Sequence, residues 1–458
     1  MQKSLLFKII IVFCLMIVIG IPLTLIQATI GGRMAFRDQA VASIAADSVG
    51  EQNVIGPVLV IPYKEEYETE AELAGDPPRK KVIVKHAENR RHLVFPNELR
   101  ISGSIDTDRR YRGIHQVLVY AGQHSFAGDF DLPAIGDLPR AQPNARITPG
   151  RPYVALGVGD VRGIRNIPKI NWDGKAFEFQ QGTGMSAYKT GLHATLDLPD
   201  LSKPSNVKFS FDLGLDGIER LAFAPVGKNN RISLKSNWAH PQFGGRFLPS
   251  LKDRTINQLG FAATWNISSL ATNAQEQITR LNAGNDAAPM HAIDQFNVGF
   301  IEPVNAYSMA DRATKYGILF VALTFAAFFV FEILKRLPIH PVQYLLVGLA
   351  LAVFFLLLVG LSEHIAFLTA YLIASAACIL LIGFYLSSVL HEWRRGFAFG
   401  CALTLLYSAL YGLLISENNA LVLGSILLFA VLAAIMVATR KVDWYRIGRE
   451  TEGAAAEA

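Results

Sequence analysis

The stretch that decides the fold is residues 312–364, which read RATKYGILFVALTFAAFFVFEILKRLPIHPVQYLLVGLALAVFFLLLVGLSEH. It contains two apolar runs, residues 316–334 and residues 342–361. Each run is long enough to cross a bilayer core, which takes about 20 helical residues at a rise of about 1.5 Å per residue. The short linker between them is basic and contains two prolines, so the runs cannot continue as one helix. The pattern therefore predicts a transmembrane hairpin.

The composition lies between that of a soluble protein and that of a protein made of membrane helices alone. The chain has 458 residues, of which 51% are hydrophobic, and its mean hydropathy is +0.29. These values predict a membrane bundle joined to one large soluble domain. The net charge of +5 comes from basic residues that flank apolar runs, so we interpret it as a topology signal and expect no nucleic-acid partner. Cys14, Cys378 and Cys401 all lie in apolar runs, so we expect no disulfide framework in the soluble part.

The same reasoning extends to the other apolar runs and predicts six transmembrane helices. They cover residues 9–28, 316–334, 342–361, 365–390, 396–415 and 420–438. A cleaved signal peptide is the alternative for the first run. Its apolar core would be shorter, and residues 26–28 match a cleavage site poorly, so we favour an uncleaved anchor.

The charges of the connecting segments predict the orientation. One alternating set of segments carries Lys or Arg, whereas the charges of the other short loops are Glu363 and Glu417 alone. Because basic loops stay in the cytoplasm, residues 1–8 and 439–458 are predicted to be cytoplasmic. Residues 29–311 are then predicted to lie outside the cytoplasm.

Residues 29–311 have the pattern of a mainly-β domain. Residues 34–46 form one helical face that continues the anchor, and short strand patterns with frequent turn signals follow. The clearest alternation of apolar and polar residues runs from Val207 to Leu215. We predict antiparallel, sandwich-like sheets, divided into two subdomains. Residues 82–84 and 117–120 are predicted strand cores, and residues 65–81 an exposed loop or hairpin tip.

No local motif predicts catalysis. His391-Glu392 begins like a zinc-protease helix, but position 395 is Arg, where the second histidine ligand would be. Glu363-His364 resembles half of the inverted motif, but position 360 is Gly. We therefore predict a protein that is not an enzyme and has no cofactor and no metal site.

Four polar residues near the membrane are candidate functional residues: Glu332, His340, Glu363 and His364. Glu332 lies near the end of the second span, where an unpaired charge is costly. Two interpretations stay open for it: an ion pair with Lys335 or Arg336, within helical reach, or a functional carboxylate.

The two histidines also leave alternatives. His340 lies between Ile339 and Pro341, where it would either cap a turn or serve as a proton or metal site. Glu363 and His364 would either cap a helix or titrate in an acidified exterior, since a histidine pKa near 6.5 is easily moved.

Several short motifs resemble one family of bacterial proteins. They are GPVL at 56–59, WAHP at 238–241, EPVNAY at 302–307, RATKYG at 312–317, IHPVQY at 339–344, LSEH at 361–364 and TRKVDWY at 439–445. The chain resembles the CreD family of inner-membrane proteins over nearly its whole length. The resemblance implies a protein of the cell inner membrane in which residues 29–311 are periplasmic. It also implies a role in cell-envelope integrity, colicin tolerance and the stress response, under a two-component regulator of the Cre type. It implies no catalytic residues.

Two functional hypotheses follow. The first is a non-enzymatic envelope-integrity protein whose periplasmic domain senses or binds an envelope protein or a cell-wall component, with the lipid bilayer around its helices. The second is a membrane transporter or lipid-handling protein that uses the polar residues of the bundle. The lack of charged residues in the middle of the later spans counts against the second.

Overall fold

The computed structural model describes residues 2–72, 81–113, 115–284, 292–300, 302, 306–335, 339–389, 393–416 and 419–440. The chain divides into two compact units. Met1–Asp38 and Val304–Ala458 form the first, which we call the helical unit. Gln39–Pro303 forms the second, which we call the β unit.

In the part of the chain that the structure describes, the helical unit consists of long apolar helices and one short, more polar helix, Ala306–Lys315. They are α1 (Gln2–Asp47), α3 (Ala306–Lys315), α4 (Gly317–Lys335), α5 (Pro341–Ser362), α6 (Phe367–Val389), α7 (Trp393–Ile415) and α8 (Ala420–Thr439). Among the described residues, five helices are long and apolar enough to span a membrane. The number is six if α3 and α4, bent by 45° at their junction, count as one span. The several apolar helices that the sequence predicts are therefore present.

Glycines bring these helices together. A Cβ atom on Gly348 of α5 would lie 2.8 Å from Cγ1 of Ile19 on α1. A Cβ atom on Gly396 of α7 would lie 2.8 Å from the backbone oxygen of Gly383 on α6. Membrane helices gain contact area when small residues let their backbones approach, so a larger side chain at either glycine would force its helix pair apart.

The β unit contains two mixed sheets and the short helix α2 (Ala274–Ala283). Its strands are β1 (Gln52–Glu72), β2 (Lys81–Val94), β3 (Glu98–Arg112), β4 (His115–Leu132), β5 (Arg146–Pro149), β6 (Tyr153–Val158), β7 (Lys169–Trp172), β8 (Lys175–Glu178), β9 (Gln180–Gln181), β10 (Gly191–Thr195), β11 (Ser205–Ile218), β12 (Arg220–Ala224), β13 (Asn229–Ser236), β14 (Pro241–Gly245), β15 (Arg254–Asn257), β16 (Gly260–Ser268) and β17 (Phe296–Phe300).

The first sheet has the order β14-β17-β12-β1-β6-β10-β9, and β2 and β5 also pair with β1. The second has the order β15-β16-β13-β3-β4-β11-β7-β8. Most pairs are antiparallel, as predicted, but β1 pairs with β12 and β3 pairs with β13 in parallel. Parallel neighbours come from segments far apart in the chain, so the local alternation of residues does not reveal them.

The two sheets pack against each other around one hydrophobic core. Trp265 of β16 stacks on Phe296 of β17 with ring centroids 4.6 Å apart, although the strands belong to different sheets. The predicted alternation in β11 is confirmed, since Val207, Phe209 and Phe211 are buried and the residues between them are exposed. The division into two subdomains stays a prediction.

The segment predicted as an exposed loop begins as a strand. Residues 59–72 of β1 pair with β2 in a long ribbon. The other edge of β1 pairs with β6 and β5 as far as Glu66, and residues 73–80 of the predicted tip lie outside the described residues. Glu65 is fully buried and forms an ion pair with Arg90. Conversely, Ile83, predicted as part of a strand core, is 63% exposed. The expected exposure was wrong at Glu65, because β5 pairs with β1 there and the Ala141 amide donates to its carboxylate. Ile83 lies in a strand, as predicted, but its side chain is not covered.

The last residues of α1, which belong to the β unit, end in a charged cap. The Arg162 guanidinium donates hydrogen bonds to the carbonyl oxygens of Ala46 (2.6 Å) and Ala45 (2.9 Å). Asp160 accepts from Arg162 and from the Gly50 amide. These donors satisfy helix carbonyls that have no partner within the helix. The hydrogen bond from Arg162 also lowers the pKa of Asp160.

Candidate functional site

The first candidate carboxylate, Glu332, lies in a buried charged cluster at one end of the helical unit. Its side chain is 7% exposed and forms an ion pair with Lys8 of α1. The Tyr344 hydroxyl of α5 donates a hydrogen bond of 2.8 Å to the other carboxylate oxygen. Both oxygens of Glu332 therefore have a partner, which offsets the cost of holding a charge away from water.

The second candidate carboxylate, Glu363, lies directly after α5 and repeats this arrangement. Its side chain is 10% exposed, and Nε of Arg33 on α1 lies 3.2 Å from Oε1. The Tyr307 hydroxyl of α3 donates to the same oxygen over 3.2 Å. Each cluster thus contains a glutamate, a tyrosine and a cation from α1.

The two cations lie on the same face of α1. Arg33 follows Lys8 by 25 residues, which is about seven turns at 3.6 residues per turn. The buried residues between them, Ile19, Leu23, Ile26 and Ile30, share this face. At about 1.5 Å per residue the cations are about 38 Å apart along the helix, somewhat more than the hydrocarbon core of about 30 Å. The apolar stripe that packs in the bundle therefore has a cation at each end.

His340 is the N-cap of α5. Its Nδ1 accepts a hydrogen bond from the Val342 amide (3.3 Å), and its own amide donates to Gln343 (3.1 Å). This reciprocal pattern is a capping box, which agrees with the capping interpretation of the sequence. His364, at the other end of α5, is exposed.

The four candidate residues do not form one site. Glu332 and His340 lie near the start of α5, and Glu363 and His364 lie at its end. A helix of 22 residues is about 33 Å long, so the two groups lie at opposite ends of the bundle. The arrangement can hold helices in position, but it offers no continuous polar path between the groups.

Sequence reasoning missed the partners Lys8, Arg33, Tyr307 and Tyr344. Lys8 and Glu332 are 324 positions apart, so no local pattern links them. Of the partners suggested for Glu332, Arg336 and the side chain of Lys335 lie outside the described residues. One usable signal existed: the spacing between Lys8 and Arg33 places both on the face that carries the buried isoleucines.

The β unit contains a polar cleft of about 680 Å³ where the ribbon passes the start of β5. The rings of Tyr67 and His86 stack there, with centroids 4.8 Å apart. The Thr69 hydroxyl lies 2.7 Å from Nε2 of His86. The Tyr67 hydroxyl donates to Glu88, which raises the pKa of Tyr67. The other polar residues of the lining are Glu66, Glu68, Lys85, Gln142, Asn144 and Arg146. Among the described residues, no group of three metal-ligating side chains is present.

Comparison with known proteins identifies the class. The model of the family described as "Inner membrane protein CreD" matches residues 4–445. The chain is 37% identical over 446 residues to Inner membrane protein CreD of Escherichia coli (strain K12), covering 97% of this chain and 95% of that protein. The helices and these matches together define a multi-pass protein of the inner membrane. The chain belongs to the CreD family.

Solved structures give weaker matches. Two crystal structures of an M1 zinc metallopeptidase from Deinococcus radiodurans, one of them a mutant bound to a peptide substrate, align with TM-scores of 0.21 and 0.20. The identities are 8% and 7%. The matches cover 45% and 49% of this chain, and 42% and 53% of those chains. Likenesses at this level carry no argument about this protein, and the CreD description names no reaction.

Proposed function

We propose that this protein supports cell-envelope integrity without being an enzyme, and that its β unit binds or senses an envelope component. The observation that carries the proposal is the polar cleft beside Tyr67 and His86 in the compact β unit. Stacked aromatic rings next to amide, carboxylate and guanidinium groups suit a polar ligand such as a glycan or a peptide. Membership of the CreD family supports the envelope role, which includes the stress response, colicin tolerance and a Cre-type regulator.

The proposal includes a topology. Both termini are cytoplasmic and residues 29–311 are periplasmic, with spans as predicted from the sequence. The basic residues of the short segments support this orientation. The pairing of Lys8 with Glu332 supports it as well, because the segment around Lys8 and the last turns of α4 then lie on the same side of the bilayer. Alkaline phosphatase fused after residue 311 should be active, and the same reporter fused after residue 440 inactive. The reverse result would exclude the orientation.

The cleft is tested by photo-crosslinking in living cells. A photoreactive phenylalanine analogue replaces Tyr67, and a control carries it at Tyr111, a 68% exposed tyrosine outside the cleft. We expect the probe at position 67 to capture one dominant envelope protein or glycan that the probe at position 111 does not. Equal capture at both positions would contradict a binding role of the cleft.

A genetic test links the cleft to the envelope. Tyr67→Ala with His86→Ala removes the stacked pair while leaving the hydrophobic core of the β unit intact. In a strain that lacks its own family member, wild-type protein should restore colicin tolerance, whereas this variant should not at equal abundance. Full restoration by the variant would separate the function from the cleft.

Transport is not proposed. A transporter would gather its polar residues at one site near the middle of the bilayer, whereas the candidate residues lie at the two ends of α5 and the two carboxylates are already paired.

A further inference from the structure

The outer edge of the eight-stranded sheet has an unusual surface. β15 is its last strand, and all four of its side chains are exposed. The exposure extends over residues 251–259, from the turn before β15 to the hairpin turn that leads into β16. This segment lies outside the cleft and outside the charged clusters described above.

Four of the exposed side chains at this edge are large and apolar. We call them the edge patch: Leu248 (66% exposed), Leu251 (77%), Ile256 (46%) and Leu259 (87%). Leu259 lies in the two-residue turn of the hairpin, because Asn257 pairs with Gly260. Such turns normally carry Gly, Asn or Asp. A leucine exposed at a turn tip has no role in the fold that we can identify, which points to a role in binding.

The edge patch continues the hydrophobic core to the surface. Ile256 lies opposite Phe261 in the antiparallel pair, so both side chains are on the same face of the sheet. Phe261 is 4% exposed and belongs to the core, whereas Ile256 is uncovered. The apolar face of the sheet is therefore exposed to solvent at this edge.

Cations accompany the apolar residues. Lys252 and Arg254 lie between Leu251 and Ile256 in the chain and are exposed, and neither forms an ion pair with another described residue. Asp253, between them, accepts a hydrogen bond from the Ser250 hydroxyl (3.0 Å). Leucines at turn tips beside lysine and arginine are the combination that inserts into the headgroup region of a bilayer and attracts anionic lipid.

We propose that the edge patch binds the surface of an anionic lipid bilayer, with Leu251 and Leu259 inserted and Lys252 and Arg254 on the headgroups. Two other occupants fit less well. A second copy of this edge would place the same cations against each other. A peptide strand added to β15 would use the backbone edge but would leave Leu259, beyond the end of the strand, uncovered. The proposal does not depend on the proposed envelope function.

The test uses the full chain in lipid nanodiscs. Cys14 and Cys401, the exposed native cysteines, are replaced by Ser, and Leu259→Cys carries the fluorophore NBD. The matched control is Leu270→Cys, at the other end of β16, where the leucine is 97% exposed. The experiment has two arms. In the first, the nanodiscs contain phosphatidylglycerol and a spin-labelled lipid that quenches NBD on contact. In the second, vesicles of this composition are added to nanodiscs that lack the quencher.

We expect the label at position 259 to lose about half of its emission to spin-labelled lipid and the label at position 270 to lose almost none. Lys252→Glu with Arg254→Glu should abolish the loss without changing the melting temperature. Quenching in the discs or in added vesicles supports the proposal. Equal quenching of the labels at positions 259 and 270 in both arms would overturn the proposal. A change in NBD emission that depends on protein concentration instead of on the spin-labelled lipid would also overturn it.

Discussion

Two buried glutamates of the helical unit and one buried histidine of the β unit are accommodated in opposite ways. In the helical unit, Glu332 and Glu363 each have a cation from α1 and a tyrosine hydroxyl. In the β unit, His124 is 1% exposed and neither ring nitrogen has a hydrogen-bond partner among the described residues. The neighbouring glycines Gly103 and Gly122 leave room for its ring, which a Cβ atom at either position would strike.

The difference follows from whether each group keeps its charge near neutral pH. A carboxylate beside lysine or arginine keeps its charge, and the pair shares the cost of desolvation. A histidine can lose its charge near neutral pH, and burial lowers the pKa of His124 to about 4. The two buried glutamates of the helical unit thus keep their charge by pairing, whereas His124 of the β unit is buried as a neutral ring.

The largest effect is expected from Lys8→Met, which leaves Glu332 without its cation. Breaking a largely buried pair from one side should cost about 2–3 kcal/mol of stability. Thermal unfolding of the purified protein in detergent measures it. Glu332→Gln should cost less, because Lys8 is 31% exposed and can extend its ammonium group to water.

The double variant Lys8→Met/Glu332→Gln is the control for this experiment, since it removes both charges and should recover much of the loss. If the loss of stability in the double variant equals the sum of the losses in the two single variants, Lys8 and Glu332 are not coupled. The contrast between the paired glutamates and His124 would then fail.

An effect of about 2 kcal/mol is expected on acidifying the β unit from pH 7 to pH 5. The folded pKa of His124, about 4, lies below the ordinary value of 6.5. Between these values the unfolded chain binds a proton that the folded chain does not. Stability is therefore complete above about pH 6.5 and falls as the pH approaches 4. Urea unfolding at both pH values checks this.

His124→Leu isolates this contribution, because it keeps a buried side chain in place and removes the titrating ring. The variant should lose less stability than wild type on acidification. The same pH dependence in both proteins would assign the effect to other groups.

A smaller loss, about 1 kcal/mol, is expected from Arg33→Met. Arg33 is 44% exposed, so water screens its interaction with Glu363 more than it screens the interaction of Lys8 with Glu332. The loss should shrink at high salt, whereas that of Lys8→Met should not. Melting temperatures at low and high salt separate the two, and equal salt dependence would show that the clusters are equally exposed.

The smallest effect is expected from Arg162→Met, which removes the cap of α1 within the β unit. Arg162 is 51% exposed, so water can replace part of the cap and the loss of stability should be the smallest of the series. Amide hydrogen exchange should become faster in the last turn of α1 and stay unchanged in β11. Unchanged exchange at Ala45 and Ala46 would mean that other groups hold this helix end.

The helices could be predicted from the sequence because the apolar run that defines each of them is a local pattern. A run of about 20 apolar residues has few alternatives in a membrane protein, and the face of residues 34–46 correctly extended α1 past Gly31 and Gly32 to Asp47. The alternation in β11 was equally local, since each residue reports its own side of the sheet.

The remaining features depend on long-range contacts. Neither the partnership of Lys8 with Glu332 nor the parallel pairing of β3 with β13 is encoded in neighbouring residues. Residue type also misled at Glu65 and Ile83, because burial in the ribbon depends on what covers each strand and not on the hydrophobicity of the residue. Of the candidate site, the glutamates could be predicted and their partners could not.

The cations at the two ends of the stripe on α1 also limit how this helix can move. Sliding by one turn, about 5.4 Å, would separate Lys8 from Glu332 and Arg33 from Glu363 at the same time. Rotation about its own axis would do the same, since both cations lie on one face. Piston-like and rotational motions of α1 within the helical unit are therefore costly, whereas bending near Gly31 and Gly32, where a Cβ atom would meet no neighbour within 4 Å, leaves the Lys8 pair intact.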